Sequence, residues 1–184
     1  MKDALVLVSI VLGVAITFEL EHLNKVLRAP GVRWHWAQPA FALFVLLSII
    51  SFWWNAASVK QETLALGEFL PVMFQLIMLA LLAAASFPDR VPEEGIDLAQ
   101  YYQNSRVYQW VLMNLYFLSI HVAYVYKVAM RTGDFGTFAM QVGPDTIGAL
   151  ILFAMIFLKK WWQVAIGFAF ISLAPLIWLT RTLG

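Results

Sequence analysis

An all-α, polytopic membrane bundle of about six transmembrane helices is the fold this sequence predicts, and three observations predict it. Hydrophobic residues make up 62% of the 184 and mean hydropathy is +0.78, whereas a soluble domain runs nearer half apolar. Charged residues reach only 12%, too little to clothe a water-soluble fold, so the surplus apolar surface must face a lipid bilayer. The apolar runs are also long and continuous, without the period-two alternation of barrel strands. A net charge of +1 asks for no nucleic-acid partner, and the absence of cysteine excludes disulfides, thiolate chemistry and cysteine-based metal sites.

The first apolar run, residues 4–18, follows Lys2 and has the look of a secretory leader, but Gly13-Val14-Ala15 is a poor cleavage site, so a retained span is expected. It leads into Phe18–Trp36, FELEHLNKVLRAPGVRWHW, where Glu19, Glu21, His22, Lys25, Arg28, Arg33 and His35 crowd together. Leu20, Leu23 and Leu27 form an apolar stripe, Glu21 precedes Lys25 by the four residues of a favourable ion pair, and Ala29-Pro30-Gly31 stops the helix. The expectation is a span emerging at the water line and turning back.

Tryptophans border the second span, residues 36–58. Trp34 and Trp36 open it and Trp53 and Trp54 close it, about 26 Å apart, close to the spacing of two interfacial belts. The third, residues 64–87, carries Pro71. An irregular acidic segment, FPDRVPEEGID, follows, and Asp97 with Gln100 forms a capping-box pattern. A helix starting there and running through the fourth span, residues 107–129, would reach about 50 Å from Leu98 to Met130, so its first turns must protrude or lie along the surface. The fifth, residues 144–158, is short, and Gly143-Pro144 is expected to break the helix made upstream. Proline there suits a helix start, with a re-entrant helix as the alternative. The sixth, residues 161–179, opens on Trp161 and Trp162. Six spans place Lys2, Lys60, Lys127, Arg131 and Arg181 on one face against Lys25, Arg28, Arg33, Arg90, Arg106, Lys159 and Lys160 on the other, too even a split for the positive-inside rule.

Isolated ionisable groups in apolar surroundings are the functional candidates, because an unsatisfied charge there is costly. Glu68 lies about one turn inside the third span, with Gln75 on the same face. His121 is well inside the fourth, with Asn114 and Tyr124 on its stripe, and Asp145 follows the Gly-Pro pair. Tracing the chain in and out puts Glu68, His121 and Asp145 in one leaflet, where a carboxylate beside a histidine could handle protons or a cation. The competing reading is that these groups merely tie helices together.

Cofactors are not expected. Glu19-x-x-His22 has the spacing of carboxylate-bridged di-iron proteins, but Val32 and Leu118 stand where His35 and His121 would need a glutamate, so the motif fails on count. Haem between His22 and His35 is disfavoured because both sit among charges. No catalytic motif is present, which weighs against an enzyme.

The segment WHWAQPAFALFVLLSIISFWW, followed by FPD and DLAQYYQNSRVYQWV, resembles a family of small bacterial inner-membrane proteins of unknown function. The resemblance covers about the middle half of the chain and implies a multi-pass protein of the bacterial inner (plasma) membrane, with no activity to transfer. Two functions fit: a small proton or cation channel or transporter, or an accessory, assembly or sensing subunit without transport. Expected partners are the lipid bilayer and a second copy of the chain or another membrane protein.

Overall fold

The computed structural model describes residues 2–58 and 66–178, with side chains described for all of these except 2–4, 66, 68 and 176–178. Among the described residues every regular element is a helix. The order is α1 (Lys2–Arg28), α2 (Ala37–Ser58), α3 (Leu66–Ala85), α4 (Leu98–Arg131), α5 (Phe135–Met155), α6 (Trp161–Ile171) and α7 (Leu173–Trp178). Four stretches, Leu5–Arg28, Ala37–Ser58, Leu98–Arg131 and Phe135–Met155, are long and apolar enough to cross a membrane, and Phe69–Ala85 and Trp161–Pro175 are shorter apolar helices. By length and composition this is a membrane protein.

Local chemistry explains most of the borders. Pro30 lacks a backbone donor, and Gly31 adopts φ 66°, so α1 stops at Arg28. Asp97 caps α4, its carboxylate accepting from the backbone N–H groups of Ala99 (2.8 Å) and Gln100 (3.2 Å). Asp134 caps α5 through the Thr137 N–H at 2.8 Å. The expected break at Gly143-Pro144 does not occur: α5 runs unbroken from Phe135 to Met155, nine residues of it lying before Pro144. Proline is tolerated inside a membrane helix where neighbours and local adjustment absorb the lost bond. The sixth span, by contrast, divides at Ser172. Pro175 offers no N–H to the carbonyl of Ile171, and the Ser172 hydroxyl bonds back to Phe168 O at 2.7 Å.

The helices close into a ring in the order α1, α3, α4, α5, α6, α2, with α2 also reaching inward to α3, α4 and α7. Its interior is aromatic. Phe41 and Phe168 meet the Trp110 ring edge-on at 5.3 and 5.5 Å, and the Trp110 indole N–H donates to the Tyr102 hydroxyl at 2.9 Å. Gly167 lets α6 close on α5, since a Cβ there would run into Met155 Sδ. Outward, Ile10, Leu43, Ile50, Ile77, Leu118, Ile147 and Leu150 are exposed, as lipid-facing residues are.

The side of α1 that packs inward carries Val8, Leu12, Ala15, Glu19 and Val26. The apolar stripe is divided: Leu20 and Leu27 are 52% and 62% exposed and face outward, Leu23 is partly buried beside Val26, and Glu19 is 4% exposed and faces the ring. In lipid the most apolar face has no reason to turn inward, because lipid tails are as apolar as leucine.

At the end where α1 and α3 finish and α2 and α4 begin, the loops lock together. Arg33 N–H donates to Ile96 O at 2.8 Å, Leu98 N–H donates to Arg33 O at 3.0 Å, and the Arg33 guanidinium lies 3.5 Å from the Asp97 carboxylate. Gly95, at φ 91°, packs directly on the Gly31 backbone. Below this seam Val26, Ala42, Phe87 and Leu98 form a small second core. The loop 86–97 is thus a fastened cover over that end of the bundle.

Candidate functional site

Beneath the cover, the last turn of α3 presents carbonyls with no donor four residues on. Side chains serve them, one from just past α3 and the others from α4. The Ser86 hydroxyl donates to Leu82 O at 2.9 Å, Gln109 Nε2 of α4 to Ala85 O at 2.8 Å, and the Tyr101 hydroxyl to the same oxygen at 3.4 Å. Gln38 Nε2 of α2 donates to Ser86 O. Gln38, Ser86 and Gln109 are all fully buried.

This capping has a consequence for the other end of each amide. Only the –NH₂ of a glutamine can face a carbonyl oxygen, so the orientation of both amides is set by α3. Gln38 Oε1 and Gln109 Oε1 are left as buried acceptors without a hydrogen-bond partner. A third buried acceptor without a partner, Glu19 Oε2, lies on α1, and the Glu19 carboxyl group faces the hydroxyl of Ser86, the residue whose carbonyl Gln38 caps. That hydroxyl has one proton to give, and Leu82 O already competes for it.

The electrostatics of the position are unfavourable for a lone anion. Glu19 sits at the C-terminal, negative end of the α3 dipole, and no helix partner compensates it. Among the described residues the ion pairs are Lys25 with Glu21 at 2.8 Å, the expected surface pair, and Arg33 with Asp97. Arg106 is buried too, but its guanidinium is engaged with Ile156 O at 3.1 Å and Gln103 Oε1 at 2.6 Å, closing the end of α5. Glu19 therefore has no protein counter-ion among them.

A cleft of about 370 Å³ opens beside the cluster, lined by Phe18, His22, Ala84, Phe87, Asp89 and Tyr101. Phe18 and His22 stand one and three residues from Glu19 on α1, and Phe87 adjoins Ser86, so the cleft opens beside the buried carboxyl, which does not itself line it. At about 30 Å³ per water it holds several molecules. His22 Nδ1 is buried there without a partner. In the loop seam, Asp97 stays below the usual carboxylate range chiefly because the Gln100 N–H bonds it, helped by Ala99 N–H and Arg33. Burial against Trp36 and Trp161, whose rings lie 5.5 and 4.0 Å away, lowers the pKa of His35.

The residues singled out from the sequence occupy other places. Gln75 donates to the Ser119 hydroxyl at 3.2 Å, tying α3 to α4. Asn114 donates to Leu152 O at 2.9 Å, His121 Nε2 meets the Thr146 hydroxyl at 3.2 Å, and the Tyr124 hydroxyl donates to Gln141 O at 3.3 Å, all tying α4 to α5. Asp145 is exposed, and the side chain of Glu68 lies outside the described residues. Gln75, Asn114, His121 and Tyr124 each make a helix-to-helix tie. What the sequence reading passed over is Glu19, grouped with its charged neighbours, and the two glutamines. The signal was available in one respect, since Glu19 continues the Val8, Leu12, Ala15 spacing on to Val26.

Among the described residues no group of three or more His, Asp or Glu side chains is placed to hold a metal ion. No protein-family model, curated protein or solved structure matches the chain.

Proposed function

We propose that the protein is a small multi-pass protein of the bacterial inner membrane that moves protons or a small cation, with Glu19 as the ion-binding carboxylate. One observation carries this reading: a carboxyl group buried in the helix ring, without a counter-ion, lies beside a cleft wide enough for water. A buried charge is expensive in a membrane and is kept where it works. A group of this kind binds an ion from one side and must release it to the other, which is the chemistry of a channel or carrier. The family resemblance supports the bacterial membrane location.

The test is flux in proteoliposomes. Wild-type protein dissipates an imposed proton or alkali-ion gradient, and Glu19→Gln, which keeps the shape and removes the charge, abolishes that flux. Unchanged flux in the variant overturns the assignment. Silent wild-type vesicles together with a partner chain retained through gentle purification favour the accessory-subunit role.

A further inference from the structure

The two glutamine oxygens and the Glu19 carboxylate say more about the ion than its sign. We propose that this cluster binds a monovalent alkali cation, held by the Glu19 carboxylate and by Gln38 Oε1 and Gln109 Oε1 at the C-terminal end of α3. The proposal rests on the reading of Glu19 as the ion site and names its occupant.

Four features point to that occupant. All three free groups are oxygens, hard ligands that suit alkali and alkaline-earth ions, and all three belong to side chains at least nine-tenths buried. Their orientation is built in, because Gln38 Nε2 and Gln109 Nε2 are fastened to the Ser86 and Ala85 carbonyls. Charge then selects the valence. One carboxylate balances one positive charge, whereas a divalent ion would leave an uncompensated charge in the interior. Finally, the C-terminal end of a helix attracts cations through its dipole.

A proton serves the cluster less completely. Carried on Glu19, it can be donated to one glutamine oxygen and leaves the other without a donor. A cation draws on all three at once.

The test uses purified full-length protein in detergent, unfolded by heat at fixed pH and fixed ionic strength. The titratable groups beside the cluster are His22 on α1, Asp89 in the loop after α3 and Tyr101 on α4, so pH is held constant throughout. Replacing choline chloride by sodium or potassium chloride raises the unfolding midpoint of the wild type saturably, by about 5–10 °C at saturation. Glu19→Gln loses that response. Equilibrium binding of radioactive sodium to the wild type gives the same answer without any variant. A wild type indifferent to sodium and potassium overturns the proposal, as does a Glu19→Gln protein that keeps the full response. If alkali ions have no effect while proton flux still depends on Glu19, the occupant is a proton and the transport reading stands. If alkali ions have no effect and flux is also independent of Glu19, both readings fall.

Discussion

Removing the charge of Glu19 should stabilise the protein while disabling it. In the absence of alkali ions the wild-type cluster holds three buried acceptors without donors: Glu19 Oε2, Gln38 Oε1 and Gln109 Oε1. Glu19→Gln replaces one carboxylate oxygen by an –NH₂ group of the same size, which brings two donors to a region that holds buried acceptors without any. Leaving a buried polar group unmet costs about 1–3 kcal/mol, and a hydrogen bond gained contributes about 0.5–1.5 kcal/mol net. Allowing for imperfect geometry, the gain is about 1–3 kcal/mol, or about 2–10 °C in the midpoint for a chain of this length. The assay is thermal unfolding in choline buffer, followed by tryptophan fluorescence. Glu19→Ala is the control: it supplies no donor and opens a cavity, so it gains nothing. A midpoint lower in Glu19→Gln than in wild type would refute the reasoning, because the carboxylate would then be making a bond that an amide cannot make.

Three further perturbations probe the cover and the frame. Gly95→Ala puts a Cβ against the Gly31 backbone at a φ that side chains resist, costing about 1–2 kcal/mol in backbone strain alone. The Arg33–Ile96 and Leu98–Arg33 bonds should loosen with it, read as faster amide exchange at Arg33 and Leu98; unchanged exchange would show that the seam does not depend on Gly95. Arg106→Met removes a charge-assisted bond to Ile156 O and the contact with Gln103, for a loss of about 2–4 kcal/mol. Arg106→Lys should restore only part of that, because an ammonium cannot span both acceptors, and full restoration by lysine would contradict the described geometry. Asp97, whose carboxyl lies below its ordinary 3.8 in the folded protein, contributes stability that is present above that value and is lost as pH falls through the folded one. Acidification should therefore fray the first turn of α4, and Asp97→Asn, still a capping residue, should remove most of that acid dependence.

The borders of this protein were legible because they depend on local chemistry. Pro30-Gly31 ends α1, Asp97 caps α4 and Trp36 stands just before α2, each through residues adjacent in sequence. Proline misled in one place and was undervalued in another: α5 passes through Pro144, while Pro175 coincides with the break at Ser172. Periodicity marks α1 as a helix but does not say which face packs inward, since in lipid Leu20 and Leu27 gain nothing by turning in. The candidate site was the least legible part. Glu19, Gln38, Ser86 and Gln109 come from four segments of the chain, and their significance lies in which amide atom α3 claims and which it leaves free. No spacing along one helix encodes that. His121 and Asp145 stood out only because their neighbours are apolar, yet what the fold makes of His121 is a tie to Thr146.

The most direct test of the account sets these two groups of residues against each other in one flux assay. Reconstituted wild type, Glu19→Gln, His121→Gln and Asp145→Asn are compared under identical imposed proton and sodium gradients. The account predicts that flux is lost in Glu19→Gln and persists in His121→Gln and Asp145→Asn. Persistent flux in Glu19→Gln, with loss in either of the others, would contradict it and move the site to the α4–α5 side of the bundle.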